Sequence, residues 1–147
     1  MKIYLASSWR NLMQPFFVSI LRRMGHQVYD FRNPREGDHG FAWGEIDGEW
    51  KSWNSEQFVS ALTHPTAERG FTNDFEAMQW ADAGVLLLPC GRSAHLEAGY
   101  FVGANKPLYI VIPPGDTIEP ELMYKMATAV LTNVGQVHDT FERLARR

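Results

Sequence analysis

Five short apolar stretches punctuate the chain, and between them apolar residues recur at helical spacing. Residues 2–6 form a β-rich run closed by Ser7-Ser8. Phe16, Phe17, Ile20, Leu21 and Met24 then fall at i, i+1, i+4, i+5 and i+8, one apolar stripe that predicts an amphipathic helix. Gly25 ends it, as a glycine just past a helix does, and residues 27–31 read as a second strand. Strand, helix and strand within about thirty residues is the size of one βαβ unit. Residues 83–88 and 108–112 are continuous aliphatic runs, the pattern of strands buried on both faces. A weaker strand is expected over 129–131. Helices are expected over 55–62, 65–80 (with Pro65 near its start), 95–103, 120–126 and 136–145. Ala98, Gly99 and Gly103 suit a helix that lies close on a sheet.

Strands alternating with helices predict the α/β class: a single doubly wound, mainly parallel five-stranded sheet, flavodoxin- or Rossmann-like, with helices on both faces. The expected organisation is one domain over residues 1–147. Ligands of such sheets bind beyond the carboxyl ends of the strands. That rule directs attention to residues 7–10, 30–33, 89–93 and 113–116. Residues 33–53 break the alternation. There Gly37, Gly40, Gly44 and Gly48 mingle with Phe41, Trp43, Trp50 and Trp53, which suits a lid or wall over a ligand better than a bare linker.

Charge and cysteine usage narrow the classes. With 14 Lys+Arg against 17 Asp+Glu the formal charge is -3, which argues against a nucleic-acid backbone as partner. The longest purely aliphatic run, Val85-Leu86-Leu87-Leu88, is far too short to span a bilayer, and the first residues lack the apolar core of a signal peptide. A soluble, cytoplasmic protein without a membrane partner is expected. Cys90 is the single cysteine, so no internal disulfide forms, and no Cys/His grouping has zinc spacing. Neither GxGxxG nor GxxxxGK[ST] occurs.

Two strand ends carry chemistry. Ser7-Ser8-Trp9-Arg10 joins hydroxyls, a helix start and a guanidinium into an anion site, unless Ser8 merely caps the helix. At residues 90–99, Ser93 starts a helix and Glu97 lies one turn on, toward the binding edge; the competing reading is a solvated glutamate. His95 is about two hundred degrees around the helix from Glu97 and does not pair with it. Cys90 reads as a buried structural thiol rather than a nucleophile. Asp74 and Asp82 are further carboxylates near apolar residues, Asp82 as a terminator of the preceding helix.

Taken in order, Ile3-Tyr4-Leu5-Ala6-Ser7-Ser8-Trp9, Asn73-Asp74, Leu96-Glu97-Ala98-Gly99-Tyr100, Lys106-Pro107 and Pro120-Glu121-Leu122-Met123 resemble the nucleoside 2-deoxyribosyltransferase family. That family includes 2′-deoxynucleoside 5′-monophosphate N-glycosidases and cytidylate N-glycosidases. The resemblance runs over residues 2–126, carried by short motifs whose order and spacing give it specificity. It implies that Glu97 attacks the anomeric carbon to form a glycosyl ester, that Tyr4 hydrogen-bonds and orients Glu97, and that Asp74 protonates the leaving base.

The resemblance also places Ser8 and Arg10 where the monophosphate glycosidases hold the 5′-phosphate, with Arg92 and Ser93 extending that cradle. Glu121 and Met123 match residues supplied to a neighbouring subunit, which implies a homodimer or larger homo-oligomer. Trp9 is counted with the substrate-binding set, and Trp43 with Phe41, Trp50 and Trp53 suits base stacking. No metal or organic cofactor is implied. The transferases carry an aspartate six residues before the glutamate, where this chain has Gly91. This departure favours hydrolysis of a nucleoside 5′-monophosphate over base exchange between nucleosides, with a non-catalytic nucleotide-binding module as the third reading.

Overall fold

The computed structural model describes residues 1–115 and 118–147, so Asp116, at the fourth strand-end segment, lies outside the described residues. Five strands, β1 (Lys2–Ala6), β2 (Gln27–Tyr29), β3 (Ala83–Leu87), β4 (Leu108–Val111) and β5 (Ala129–Leu131), make one sheet in the order β2-β1-β3-β4-β5. Every adjacent pair is parallel. The helices are α1 (Gln14–Arg23), α2 (Ser55–Ala61), α3 (Pro65–Trp80), α4 (Arg92–Gly103) and α5 (Val134–Ala145).

Alternate residues of each strand feed two separate cores, as the pleat requires. Ile3, Leu5, Val85, Leu87, Tyr109 and Val111 point to one face, where Phe17, Val18 and Leu21 of α1 and Val137 and Phe141 of α5 cover them. Tyr4, Ala6, Leu86, Leu108 and Ile110 point to the other, under Ala77 and Met78 of α3 and Ala94, Ala98 and Phe101 of α4. The sheet is therefore doubly wound, with β1 and β3 central and their carboxyl ends side by side.

Several expected boundaries shift for local reasons. β2 stops at Tyr29 because Asp30 turns the chain: its carboxylate accepts from the Arg32 and Asn33 nitrogens and from the buried Gln14 amide, each at 2.9–3.0 Å. The first helix starts only at Gln14, with Pro15 in its first turn and Met13 before it, so Ser8 does not cap it. Its hydroxyl instead accepts from Arg10 N at 3.1 Å. The helix expected from residue 95 begins at Arg92, and the last begins at Val134, where the Asn133 side chain accepts from Gln136 N. Residues 122–126 form a 3-10 turn rather than an α-helix, opened by the Glu121 carboxylate.

The expectation that Gly99 and Gly103 seat their helix on the sheet is corrected. Both are exposed, with open space where a side chain would stand. Ala94 and Ala98 make the approach from α4, and Gly84 makes it from the strand: a Cβ there would lie 2.6 Å from the Phe101 ring. Lys106 has a structural part, its ammonium donating to the Met78, Gln79 and Ala81 carbonyls at 2.7–2.9 Å and so closing the end of α3. Asp82 accepts from Lys2 N at 2.8 Å and fixes the entry to β1.

Candidate active site

Tyr4 is the middle residue of the central strand β1. In parallel register it sits beside Tyr29 on one side and Gly84 on the other. The Tyr29 ring stacks on it at 5.2 Å and 15°, and Phe101 leans on it at 5.7 Å. Its hydroxyl is buried and has no partner at regular hydrogen-bond geometry. Burial, then the neighbouring charges of Glu97 and Asp74, push its proton affinity far up, so Tyr4 is a neutral phenol there.

Glu97 reaches this point because α4 buries Ala94, Ala98 and Phe101. The flank beside that stripe carries Glu97 and, one turn on, Tyr100, whose ring meets Phe75 of α3 edge-on at 5.7 Å. Glu97 is thereby directed to the crease between α3 and α4, where Asp74 also lies. Burial and then the Asp74 charge push the Glu97 carboxyl up to about 8, with the Tyr4 hydroxyl pulling the other way. Asp74 is itself raised, by burial first and then by the charge of Asp38, while the Tyr29 hydroxyl, donating to its Oδ1 at 2.8 Å, opposes the shift. A glutamate raised to about 8 and an aspartate raised in the same direction, beside a buried phenol, form a site able to deliver a nucleophile and an acid together.

The loop after β1 is tied to the loop after β3. Ser7 Oγ donates to Leu87 O at 2.9 Å, and the buried Asn11 amide donates to Ser7 Oγ at 3.1 Å and Pro89 O at 3.3 Å. This tie holds the segment that carries Ser8 and Arg10 to the loop that leads into α4, whose first turn carries Arg92 and Ser93. All four are solvent-accessible, and among the described residues neither arginine has an ion-pair partner. Trp9 is half-exposed, its ring edge-on to Phe31 at 5.3 Å and under the Arg32 guanidinium at 5.1 Å.

The glycine- and aromatic-rich loop packs on itself and on α3. Trp43 makes edge-type contacts with Phe41, Trp53 and Phe58 at 4.8–5.9 Å, a satellite aromatic cluster. Phe41 rests on Gly70, one turn before Asp74, where a Cβ would lie 2.9 Å from it. Asp38 accepts from the Asn73 amide at 3.0 Å, and Arg35 Nε donates to Asn73 Oδ1 at 2.7 Å. The loop is therefore a wall fastened to α3, and the structure groups Trp43 with other aromatics rather than with Glu97.

His95 is engaged away from Glu97. Its Nδ1 donates to Gly91 O at 2.7 Å, so Nε2 accepts from the Tyr124 hydroxyl at 2.8 Å. Burial and the Glu97 charge push the Cys90 thiol up to about 12, which makes it a poor nucleophile. Two open cavities flank the Glu97–Asp74 crease without including either residue. One of about 350 Å³ has Cys90, His95, Pro113, Glu121 and Tyr124 in its wall. The other, of about 430 Å³, has Tyr29, Asn33, Arg35 and Asn73. Glu121 and Met123 are exposed on their 3-10 turn, with Glu121 Oε1 accepting from Met123 N at 3.0 Å. Among the described residues no group of three or more His, Cys, Asp or Glu is arranged to hold a metal, and no helix is long and apolar enough to cross a membrane.

Sequence reading missed Tyr29, Asp38 and Asn73 as members of this site. Tyr29 had a signal: it occupies in β2 the register position that Tyr4 occupies in β1. Asn73 stood in the Asn73-Asp74 motif but was given no role, and Asp38 had no signal, since only the folded loop brings it to Asn73 and Asp74.

No family model matches the sequence, and no curated protein matches it. Solved structures do. A 2-deoxyribosyltransferase from the psychrotolerant bacterium Bacillus psychrosaccharolyticus superposes with a TM-score of 0.61 at 23% identity, covering 95% of this chain and 91% of that one. The CMP N-glycosidase BcmB of Clostridium botulinum superposes with a TM-score of 0.53 at 10% identity, covering 98% of each chain. The fold is shared with both.

Proposed function

We propose that the protein is an N-glycosidase that cleaves the base from a nucleoside 5′-monophosphate through a covalent glycosyl-Glu97 intermediate. The observation that carries this reading is the pairing of Glu97 and Asp74, two half-buried carboxyls of which the Asp74 charge raises Glu97, beside the buried Tyr4 of the central strand β1. The shared fold adds support, since one neighbour is a CMP N-glycosidase and the other a 2-deoxyribosyltransferase.

In this mechanism Glu97, ionised, attacks C1′, and the C1′–N bond breaks with its electron pair going to the base. The Asp74 proton passes to that base as it leaves. Water then attacks C1′, the Asp74 carboxylate takes its proton, and the bond to Glu97 breaks to restore the enzyme. The buried phenol of Tyr4 holds Glu97 toward the sugar. Arg10 and Arg92, two accessible cations at adjacent strand ends, with Ser8 and Ser93, suit a phosphate dianion. Glu121 and Met123 are free to serve a neighbouring subunit's pocket, and we read the protein as a homodimer or larger homo-oligomer on the strength of that resemblance.

A second reading, deoxyribosyl transfer between nucleosides, is favoured by the neighbour with the higher structural score. Chromatography of free base released from ribo- and deoxyribonucleoside 5′-monophosphates, with matching nucleosides and with or without a second base, separates the two. Release from monophosphates alone supports hydrolysis. Exchange that requires a second base establishes transfer, and no product from any member of the panel rejects both.

A further inference from the structure

Tyr29 belongs to neither the nucleophile nor the phosphate cradle, yet it is built into the site from two directions. Its ring stacks on Tyr4 at 5.2 Å and 15°, which fixes the ring plane. Its hydroxyl donates to Asp74 Oδ1 at 2.8 Å. It is the last residue of β2 and lies in register with Tyr4.

We propose that Tyr29 is a positioning residue for the leaving-group proton: it occupies Asp74 Oδ1, confines the transferable proton to Oδ2, and strengthens its bond as Asp74 becomes a carboxylate. This rests on the reading of Asp74 as general acid. A carboxylic acid that accepts a hydrogen bond on one oxygen carries its proton on the other, so the stacked tyrosine selects which oxygen faces the base. In the ground state the bond joins a phenol to a neutral acid. In the transition state charge grows on Asp74, and a phenol already in place gains strength without reorganisation. The groups around Asp74 are Tyr29 from β2, Tyr4 from β1, Glu97 from α4 and Asp38 from the loop, the last held by Arg69 at 3.7 Å and by Asn73. Of these Tyr29 is the group that favours the charged form of Asp74, and it opposes both burial and Asp38.

The test is Tyr29→Phe, which keeps the ring and its stacking on Tyr4. Two readouts are needed. The first is the carboxyl carbon resonance of Asp74 titrated in the wild type and the variant, which requires no turnover. It is expected to titrate at higher pH in the variant, and an unshifted titration overturns the proposal whatever the enzyme does. The second is turnover of the accepted nucleotide beside that of the 4-nitrophenyl glycoside of the same sugar phosphate, whose leaving group needs no proton. On the nucleotide kcat is expected to fall at least about tenfold with KM nearly unchanged, while the nitrophenyl compound loses less than about threefold. Equal losses on both overturn the proposal, because a merely structural tyrosine gives that result. Failure of the underlying reading looks different: Asp74→Asn would then leave nucleotide turnover intact while the titration in Tyr29→Phe still shifts.

Discussion

Asp74 raises the proton affinity of Glu97, although the two residues come from different helices and lie 23 positions apart in the chain. A glutamate that holds its proton is no nucleophile, and an aspartate that has lost it is no acid. The productive state is therefore the singly protonated pair with the proton on Asp74. Its population belongs to the pair rather than to either residue.

A bell-shaped dependence of kcat/KM on pH follows. Below the lower limb both carboxyls are protonated and Glu97 cannot attack. Above the upper limb, expected near the Glu97 value of about 8, the pair is fully ionised and the base leaves unprotonated. Initial rates of base release from pH 4 to 10 check this. A rate that keeps rising through pH 9 would remove the acid from the mechanism.

Replacing Glu97 by Gln separates chemistry from stability. Turnover is expected to drop by at least ~10³-fold, as loss of a covalent nucleophile does. Stability moves the other way. The folded-state carboxyl is raised from 4.5 to about 8, so the native state binds the proton more tightly than the unfolded chain does. Wild-type stability consequently falls as pH rises from 4.5 to about 8 and is flat above that. Glu97→Gln escapes this loss and should gain on the order of 1–3 kcal/mol relative to wild type at pH 8 compared with pH 4.5. Urea unfolding at the two pH values measures it, and an unchanged difference would mean that Glu97 is solvated.

Arg10→Ala tests the phosphate assignment. The side chain is exposed, so the fold should be indifferent to its loss. For a nucleoside 5′-monophosphate kcat/KM is expected to fall about tenfold or more, from loss of a charge-assisted bond, and the matching nucleoside should be unaffected. Equal effects on the two substrates would take Arg10 away from the phosphate.

The chain's alternation of short aliphatic runs and helical stripes was enough to read the class of sheet and its carboxyl edge, because both faces of β1, β3 and β4 are buried beyond the partly exposed Lys2 and demand small or apolar residues there. The sequence nominated candidate site residues where a polar side chain sits at a strand end or in the first turns of the helix that follows, as with Glu97. The site was not legible where a partner arrives only through the loop: Asp38 reaches Asn73 and Asp74 from 35 and 36 residues away, and that spacing is not periodic. Ser8 was ambiguous for a different reason. A serine after a strand suits a cap and a ligand equally, and only the late start of α1 at Gln14 releases it from capping.

Gly84 and Gly99 carry opposite predictions although they belong to the same strand–helix pair. At Gly84 a Cβ would lie 2.6 and 2.7 Å from two carbons of the Phe101 ring. That ring is fully buried and leans on Tyr4 at 5.7 Å and Tyr100 at 5.7 Å, so it has nowhere to retreat. Gly84→Ala should therefore cost about 1–3 kcal/mol, as overfilling a packed core does. At Gly99 nothing lies within 4 Å of the same atom, and the residue is exposed inside a helix. Gly99→Ala should gain up to about 1 kcal/mol, because alanine loses less backbone entropy on becoming helical. Urea midpoints of the two variants should move to opposite sides of wild type. A shared direction would mean that α4 is not seated on β3 through Gly84, and the placement of Glu97 would fall with it.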